Sequence, residues 1–219
     1  MNFALIPVKA LVGGKTRLSP LLPDTARHAV SRAMLTDVLT NALRASIVDR
    51  VAVVTSDPTL LALTRQLGAF AVDEEYPRGL NGAVAVGTEF CLRQGATALL
   101  VLLADLPLVT SEDIEWLFHQ TNGGPEVILV PCKEGDGTNA LLRVPPLIMA
   151  PCFGGGPSLE RHLVAARREG IPCRVLEVPH IAFDLDSVAD LERFATQPTQ
   201  THTYKVLQEY GTCLRVSSK

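Results

Sequence analysis

The sequence has few aromatic residues, no excess of positive charge and no long apolar run. Aromatic residues make up 5% of its 219 residues, against 47% for the apolar residues as a whole, which favours a Val/Leu/Ala-rich α/β core over an aromatic-rich β-sandwich. The net charge of −3 shows none of the basic excess that is typical of nucleic-acid-binding proteins. The longest apolar run, 98–104, is far too short to cross a bilayer.

The sequence also lacks any pairing of its cysteines. The five cysteines are dispersed and none forms a CxxC pair, which argues against a zinc site. An odd, scattered set predicts reduced thiols that pack in the core or lie on the surface of a cytoplasmic protein. The chain opens on MNFALIPV, without the basic leader of a signal peptide. We therefore expect a cytoplasmic protein with one sizeable domain.

Apolar strands alternate with helical periodicity over residues 1–196, which predicts an α/β fold with a doubly wound, mostly parallel sheet. Strands are predicted at 3–8, 50–55, 69–72, 97–103, 127–131, 139–144, 173–178 and 182–185. Helices are predicted at 24–45, 58–67, 81–93, 111–118, 158–168 and 187–194, with caps at Asp24 and Ser111. Segment 97–103 shows no alternation, as expected of a central strand of a parallel sheet. Residues 197–219 are predicted to be a C-terminal appendage, either a hairpin or disordered.

A basic, glycine-rich loop follows the first predicted strand, where α/β folds bind phosphates. Lys9, Lys15 and Arg17 supply three cations, and Gly13 and Gly14 would let backbone amides approach an anion. The loop almost matches the P-loop pattern G-x-x-x-x-G-K-[ST], but Lys9 stands where the first glycine is required. A triphosphate-binding loop of another kind is the favoured interpretation, and a solvated basic loop is the alternative.

Carboxylates stand at or near the ends of two predicted strands. Asp105 follows the most apolar strand at its carboxyl end, where open α/β sheets bind ligands. Asp184 and Asp186 are two residues apart on a predicted strand and so share one face, where two like charges favour a cation. Because Mg²⁺ prefers a few carboxylates together with phosphate oxygens and waters, the three aspartates predict a magnesium site. The alternatives are a simple turn or cap role for Asp105, and capping of the last helix by Asp186 or Ser187.

Four further polar loops adjoin predicted strands: VTSD (54–57), EYPRGLNGAV (75–84), DGTNALLR (136–143) and FGGGPSLERH (153–162). In the last of these, three glycines precede Ser158 at the start of a predicted helix, which is an arrangement that favours an anion. His162 lies on the same helix, and a single histidine in such a place is more often structural.

The order PVK…KTRLS, RGLN, LLADLP, DGTNAL, FGGGPSLERH and DLDS…ADL resembles the 2-phospho-L-lactate or phosphoenolpyruvate guanylyltransferases of deazaflavin coenzyme (F-420) biosynthesis. The resemblance covers about residues 1 to 195. It implies a GT-A-like, three-layer nucleotidyltransferase fold with GTP as co-substrate and Mg²⁺ as cofactor. It also implies transfer of GMP to a small phosphorylated carboxylic acid with release of pyrophosphate. The acceptor would be phosphoenolpyruvate, 2-phospho-L-lactate or 3-phospho-D-glycerate.

The resemblance also implies roles for single residues. Lys9, Lys15 and Arg17 would bind the triphosphate, and Lys15 and Arg17 would act in catalysis with Asp105. The base and ribose would lie along Thr55, Ser56, Gly79, Leu80 and Asn81, the acceptor would contact Thr138, Gly155 and Ser158, and the metal would bind Asp105 with Asp184 or Asp186. The sequence departs from the family where Ser187 and Val188 replace the Thr-Pro of D-x-D-T-P, and where the glycine stretch is about one residue longer.

Two other functions stay open at this point. One is a nucleotidyltransferase that acts on molybdopterin or a sugar phosphate. The DGTN stretch and the small Gly/Ser loop favour a small acid as the acceptor instead. The other is a non-catalytic nucleotide-binding regulatory protein, against which Asp105 and the second carboxylate pair argue. The expected partners are GTP and the phospho-acid, with no nucleic acid and no membrane. The product would pass to a downstream transferase, and a homodimer stays open.

Overall fold

The computed structural model describes residues 1–11, 15–154, 156–197 and 199–211. In this part of the chain seven strands form one sheet with the order β3-β2-β1-β4-β6-β5-β7. The strands are β1 Asn2–Pro7, β2 Arg50–Thr55, β3 Phe70–Asp73, β4 Ala98–Leu102, β5 Glu126–Pro131, β6 Thr138–Val144 and β7 Cys173–Val175. Only β6 runs antiparallel to its neighbours β4 and β5, and the other pairs are parallel. The predicted α/β fold with a mostly parallel sheet is confirmed.

Helices cover both faces of this sheet. They are α1 Asp24–Arg44, α2 Pro58–Gln66, α3 Gly79–Arg93, α4 Ser111–His119, α5 Ser158–Glu169, α6 Pro179–Ala182, α7 Val188–Ala195 and α8 His202–Glu209, with a 3-10 turn at Thr16–Leu18. Successive strand residues point to opposite faces, so Leu100 packs with α1, α2 and α4 while Leu99 packs with α3 and α5. Strand β4 is buried along its whole length, as its unbroken apolar sequence predicts.

Several predicted boundaries are wrong. Helix α1 is preceded by Pro23 rather than capped by Asp24. Helix α4 is capped by Thr110 rather than Ser111, because Thr110 and Asp113 exchange the two bonds of a capping box. Strand β7 ends at Val175, and no strand forms at 182–185, where Pro179 starts the short helix α6 instead. Asp184 and Asp186 therefore do not share the face of a strand.

The prediction of a hairpin or a disordered segment for 197–219 is wrong for 202–209, which form helix α8 on the surface of α1. The carboxylate of Asp37 in α1 is 4% exposed and accepts hydrogen bonds from His202 N at 2.7 Å, Thr203 N at 2.9 Å and Thr203 Oγ1 at 2.6 Å. Burial raises the pKa of Asp37, and these bonds oppose the rise. Leu207 completes the contact within a third apolar cluster. Residues 212–219 lie outside the described residues.

No helix in the described part of the chain is both long and apolar enough to pass through a membrane.

The contact between Asp37 and α8 gives a prediction for stability. Asp37→Ala leaves the first amides of α8 without a partner, so we expect a loss of about 2 kcal/mol in the free energy of unfolding. Arg32→Ala changes an exposed residue of the same helix and should change stability by less than about 0.5 kcal/mol. Urea unfolding of the two variants measures both values, and equal losses would contradict the assigned role of Asp37.

Candidate active site

A cavity of about 480 Å³ opens at the carboxyl ends of β1, β2 and β4. The chain continues from β1 to β2 on one side, while β4 lies on the other side of β1, so the cavity lies where the strand order reverses, the usual ligand site of open α/β sheets. The described residues that line it are Pro7, Val8, Lys9, Ala10, Lys15, Ser31, Met34, Ser56, Glu74, Pro77, Gly79, Leu80, Ala83, Leu103, Ala104, Asp105 and Asp186.

The ammonium group of Lys15 joins three parts of the cavity wall. Its Nζ lies 2.7 Å from Asp105 Oδ2, 2.9 Å from Asp186 Oδ1 and 2.8 Å from the carbonyl oxygen of Leu185. Arg17 Nη1 binds the other oxygen of Asp186 at 3.0 Å. The Lys15 side chain is 12% exposed and that of Arg17 is 77% exposed, so the buried cation supplies the main counter-charge of the two aspartates.

The charges of this cluster reinforce one another. Burial acts to lower the pKa of Lys15, but the carboxylates of Asp105 and Asp186 outweigh it, and the pKa is raised. Burial acts to raise the pKa of Asp186, but Lys15 and Arg17 outweigh it, and the pKa is lowered. Lys15 also has a left-handed backbone with φ of 49°, which disfavours any residue but glycine. The three contacts of its Nζ offset this strain.

A second carboxylate pair lies beside the cluster. Asp105 Oδ1 is buried and has no hydrogen-bond partner among the described residues. Burial, followed by the negative charge of Asp105, raises the pKa of the half-buried Asp184. An unpaired buried oxygen beside a second carboxylate is a donor set that fits a hard divalent cation. Within the described ranges no three Asp, Glu, His or Cys side chains converge as metal ligands, so the three predicted metal ligands do not form one set.

Backbone and side-chain hydrogen bonds hold the segment that carries these aspartates. Leu185 N donates to the carbonyl oxygen of Asp105 at 3.0 Å. Asn139 Nδ2, at the start of β6, donates to the carbonyl oxygen of Ile181 at 2.9 Å and lies 3.3 Å from Asp184 Oδ1. Ser187 caps α7 through a capping box with Asp190. The carboxyl end of β4, the start of β6 and the segment 181–186 therefore form one assembly.

The two residues that precede the glycine-rich stretch, Cys152 and Phe153, are anchored by α5 and α3. Asn81 in α3 bonds both backbone groups of Phe153, its Nδ2 donating to the oxygen at 2.9 Å and its Oδ1 accepting from the nitrogen at 2.7 Å. His162 Nε2 accepts from Cys152 N at 2.9 Å, while its Nδ1 lies 2.8 Å from the carbonyl oxygen of Ser158 and 3.2 Å from Thr138 Oγ1. Cys152 and Phe153 are thereby fixed next to the first turn of α3, which lines the cavity.

Residues 2–219 match the protein family described as "Guanylyl transferase CofC like". The chain belongs to this guanylyl transferase family. It is 44% identical over 191 residues to a phosphoenolpyruvate guanylyltransferase of Rubrobacter xylanophilus, which covers 87% of this chain and 92% of that protein. It is 32% identical over 206 residues to a 2-phospho-L-lactate guanylyltransferase of Methanothermobacter thermautotrophicus, which covers 94% of this chain and 89% of that protein.

A solved structure has the same fold. The putative nucleotide-diphospho-sugar transferase from Desulfovibrio desulfuricans G20 matches with a TM-score of 0.77 at 15% identity, over 98% of this chain and 96% of that chain. At this identity the likeness establishes the fold alone, and it confirms the predicted nucleotidyltransferase architecture. The predicted family, and with it the prediction of an enzyme, are confirmed as well. The family match includes α8, beyond the point at which the sequence resemblance ends.

The predicted nucleotide-binding residues of this guanylyl transferase are only partly brought together. Lys9, Lys15, Ser56, Gly79 and Leu80 line the cavity. Among the described residues, three others do not line it: Arg17 binds Asp186 from outside, Thr55 is fully buried and accepts a bond from Asp57 N, and Asn81 anchors Phe153. Gly13 and Gly14 lie outside the described residues.

Two of the predicted acceptor residues, Thr138 and Ser158, are buried and are not among the described residues that line the cavity. Thr138 is 2% and Ser158 5% exposed, and both contact His162, Thr138 through its hydroxyl and Ser158 through its carbonyl oxygen. The third, Gly155, lies outside the described residues. His162 is the centre of this arrangement, and its position fits the structural role expected of a single histidine.

Sequence reasoning missed some cavity residues. Ser31 and Met34 line the cavity from α1, and Glu74 lines it from the loop before α3. The periodicity of α1 indicates its buried face but not which of its residues lie against a ligand site. Glu74 is 8% exposed, although it stands in a polar stretch next to RGLN. Its position next to the RGLN motif was the one feature of the sequence that could have indicated Glu74 as a cavity residue.

Burial lowers the pKa of His162 to about 4, which gives a prediction for pH dependence. A lowered pKa means that the folded state favours the neutral ring. His162 therefore makes its full contribution to the free energy of unfolding above about pH 6.5, the pKa of the ring in the unfolded chain, and loses it as the pH falls towards about 4. We expect the stability advantage of the wild type over His162→Gln to fall by roughly 2–3 kcal/mol across this range. Urea unfolding at each pH measures it. Carboxylates that titrate in the same range affect both proteins alike, so their effect drops out of the difference in the free energy of unfolding. A difference that stays constant with pH would contradict the burial of a neutral ring.

Proposed function

We propose that this enzyme transfers the guanylyl group of GTP to phosphoenolpyruvate or 2-phospho-L-lactate and releases pyrophosphate, as a step of F-420 biosynthesis. Both acceptors are those named for its relatives, and the more similar of the two relatives described above is a phosphoenolpyruvate guanylyltransferase. Phosphoenolpyruvate is therefore the first choice of acceptor. The structural observation that carries the proposal is the cluster of Lys15, Asp105 and Asp186 in the cavity at the switch point of the sheet.

The cluster suits a triphosphate. Lys9 and Lys15 line the cavity, and Arg17 stands beside it on Asp186. The three N–H donors of Lys15 are engaged by Asp105, Asp186 and Leu185. Lys15 would therefore contact a phosphate only by exchanging at least one of these bonds. The partner that it would give up most readily is Asp186, because Arg17 still neutralises that carboxylate.

Asp105 and Asp184 are the residues proposed to hold a divalent cation, Mg²⁺. The unpaired Asp105 Oδ1 and the effect of Asp105 on Asp184 support this pair. Asp186 would serve as the counter-charge of Lys15 and Arg17. When bound, the ion would neutralise charge on phosphate oxygens, which is a large share of catalysis in phosphoryl chemistry.

The reaction itself demands little proton chemistry. An oxygen of the acceptor's phosphate would attack the α-phosphorus of GTP, forming a new P–O bond while the bond to the β-phosphate oxygen breaks. Because a phosphate monoester is anionic at neutral pH, no general base is required, and the described cavity lining contains no His or Cys. Lys15 and Arg17 would stabilise the charge that develops on the leaving pyrophosphate.

The acceptor is proposed to lie at the glycine-rich loop, with Thr138, Gly155 and Ser158 as its contacts. The loop precedes the N-terminus of α5, where backbone amides favour a phosphate or carboxylate. Asn81 and His162 hold the backbone of Phe153 and Cys152, which lead into this loop. An acceptor phosphate bound there would approach the triphosphate from the side of α3.

The direct test is a panel of acceptors with GTP and Mg²⁺, monitored by release of pyrophosphate. We expect turnover with phosphoenolpyruvate and weaker turnover with 2-phospho-L-lactate or 3-phospho-D-glycerate. Turnover with molybdopterin or a sugar phosphate in place of these acids would overturn the proposed acceptor class. Nucleotide binding without any turnover would instead point to a regulatory protein.

A second prediction concerns Asp105. Asp105→Asn keeps the shape of the side chain but removes a charge that Lys15 and the cation need, so we expect turnover to fall by at least roughly a hundredfold. The matched control is Asp73→Asn, an exposed aspartate at the end of β3, which should retain turnover. Urea unfolding checks that both variants are folded. Near-normal turnover of a folded Asp105→Asn would remove Asp105 from the catalytic site.

A further inference from the structure

Glu74 places a carboxylate in the wall of the cavity, away from the cluster of Lys15. It follows β3, and its backbone nitrogen donates to the carbonyl oxygen of Thr55 at 3.2 Å. The residue is 8% exposed, and its Oε1 accepts a hydrogen bond from Arg78 N at 2.8 Å. This bond fixes the carboxylate at the start of α3, where Gly79 has φ of 74°, a conformation that favours glycine.

The two ends of the cavity differ in character. Lys15, Asp105 and Asp186 lie together at one end, while the lining residues that follow Glu74 in the chain include Pro77, Leu80 and Ala83. Because β3 and β4 are separated by β2 and β1, the end at Glu74 lies roughly 14 Å along the sheet from the end at Asp105. A nucleoside triphosphate with its phosphates at Lys15 would therefore place its base at the apolar end.

Among the described residues, Glu74 is the carboxylate of the cavity lining that has no cationic partner. Within the described ranges Asp105 and Asp186 each form an ion pair with Lys15, but Glu74 forms none. The bond from Arg78 N is the one hydrogen bond of its carboxylate in that part of the chain. Since a carboxylate offers about four lone-pair positions, most of its accepting capacity is available to a ligand in the cavity.

We infer that Glu74 selects the guanine base of GTP, accepting hydrogen bonds from N1–H and from the exocyclic 2-amino group. This rests on the proposed function. Guanine alone among the common bases presents two adjacent donors. Adenine and cytosine present a donor beside an acceptor, and uracil presents a donor between two acceptors, so each would set a lone pair against the carboxylate. A base that leaves a buried acceptor without a donor, or sets another acceptor against it, binds much more weakly.

The purely structural alternative is that Glu74 only caps α3. That role needs a single acceptor oxygen, which the amide of Gln would also supply. Glu74→Gln therefore preserves the cap while it replaces one acceptor by a donor. An amide pairs with xanthine, which has N1–H beside an acceptor oxygen at position 2, better than with guanine. A change of base preference would thus follow from recognition and not from capping.

The test is to measure dissociation constants for GTP, ITP and XTP with Mg²⁺, by calorimetry, on the wild type and on Glu74→Gln. The wild type should bind GTP about tenfold to a hundredfold more tightly than ITP, which lacks the 2-amino group. Glu74→Gln should bind GTP at least about tenfold more weakly and XTP more tightly than the wild type does. Equal changes for all three nucleotides would overturn the inference.

The control is Glu75→Gln, which changes the exposed neighbouring carboxylate and should keep the wild-type ratios. If Glu74→Gln does not fold, the wild type alone still decides, because equal affinities for GTP and ITP would overturn the inference. A wild type that binds ATP or CTP in preference to GTP would overturn the proposed function itself. A wild type that prefers GTP, with an unchanged GTP/XTP ratio in Glu74→Gln, would overturn only the role of Glu74.

Discussion

The candidate site depends on one buried cation between two carboxylates. Lys15 Nζ contacts Asp105 and Asp186 within 2.9 Å, and so joins the loop after β1, the end of β4 and the segment before α7. Without it, two negative charges would face each other in a partly buried cavity, which is unfavourable. Lys15 itself makes these contacts from a left-handed backbone conformation, which is disfavoured for a residue other than glycine.

The surrounding loops are held by neutral groups instead. Asn139 fastens the segment 181–184, Asn81 fastens Phe153, and His162 fastens Cys152, each through the backbone. Bonds between neutral groups do not depend on the charge of a ligand, so they can keep the cavity in shape while charged partners exchange. Lys15 is the opposite case, because a triphosphate competes directly with its carboxylates. The site thus combines a fixed frame with exchangeable ion pairs.

Much of this could be predicted from sequence, where the cause is local. The unbroken apolar run of β4 predicts a central strand, and the rule for strand ends then places Lys15 and Asp105 at the site. The failures that concern α8 and the frame of the site depend on distant partners. Asp37 caps a helix 165 residues further on, and Asn81 serves a loop 72 residues away. Glu74 shows the same limit, since its backbone pairs with Thr55 of another strand and its side chain lines the cavity.

The charges of the site also constrain the order in which its ligands can bind. Lys15 and Arg17 pair with Asp105 and Asp186, while Asp184 lies in the field of Asp105 and Lys133. A bare triphosphate would meet Asp105 and Asp184 as like charges, whereas a divalent cation on these two residues would turn repulsion into attraction. The same cation would draw on the unpaired oxygen of Asp105 and leave Lys15 free to follow the phosphates. Nucleotide and cation are therefore expected to bind as a unit. The aspartates repel the nucleotide alone but favour the complex of nucleotide and cation.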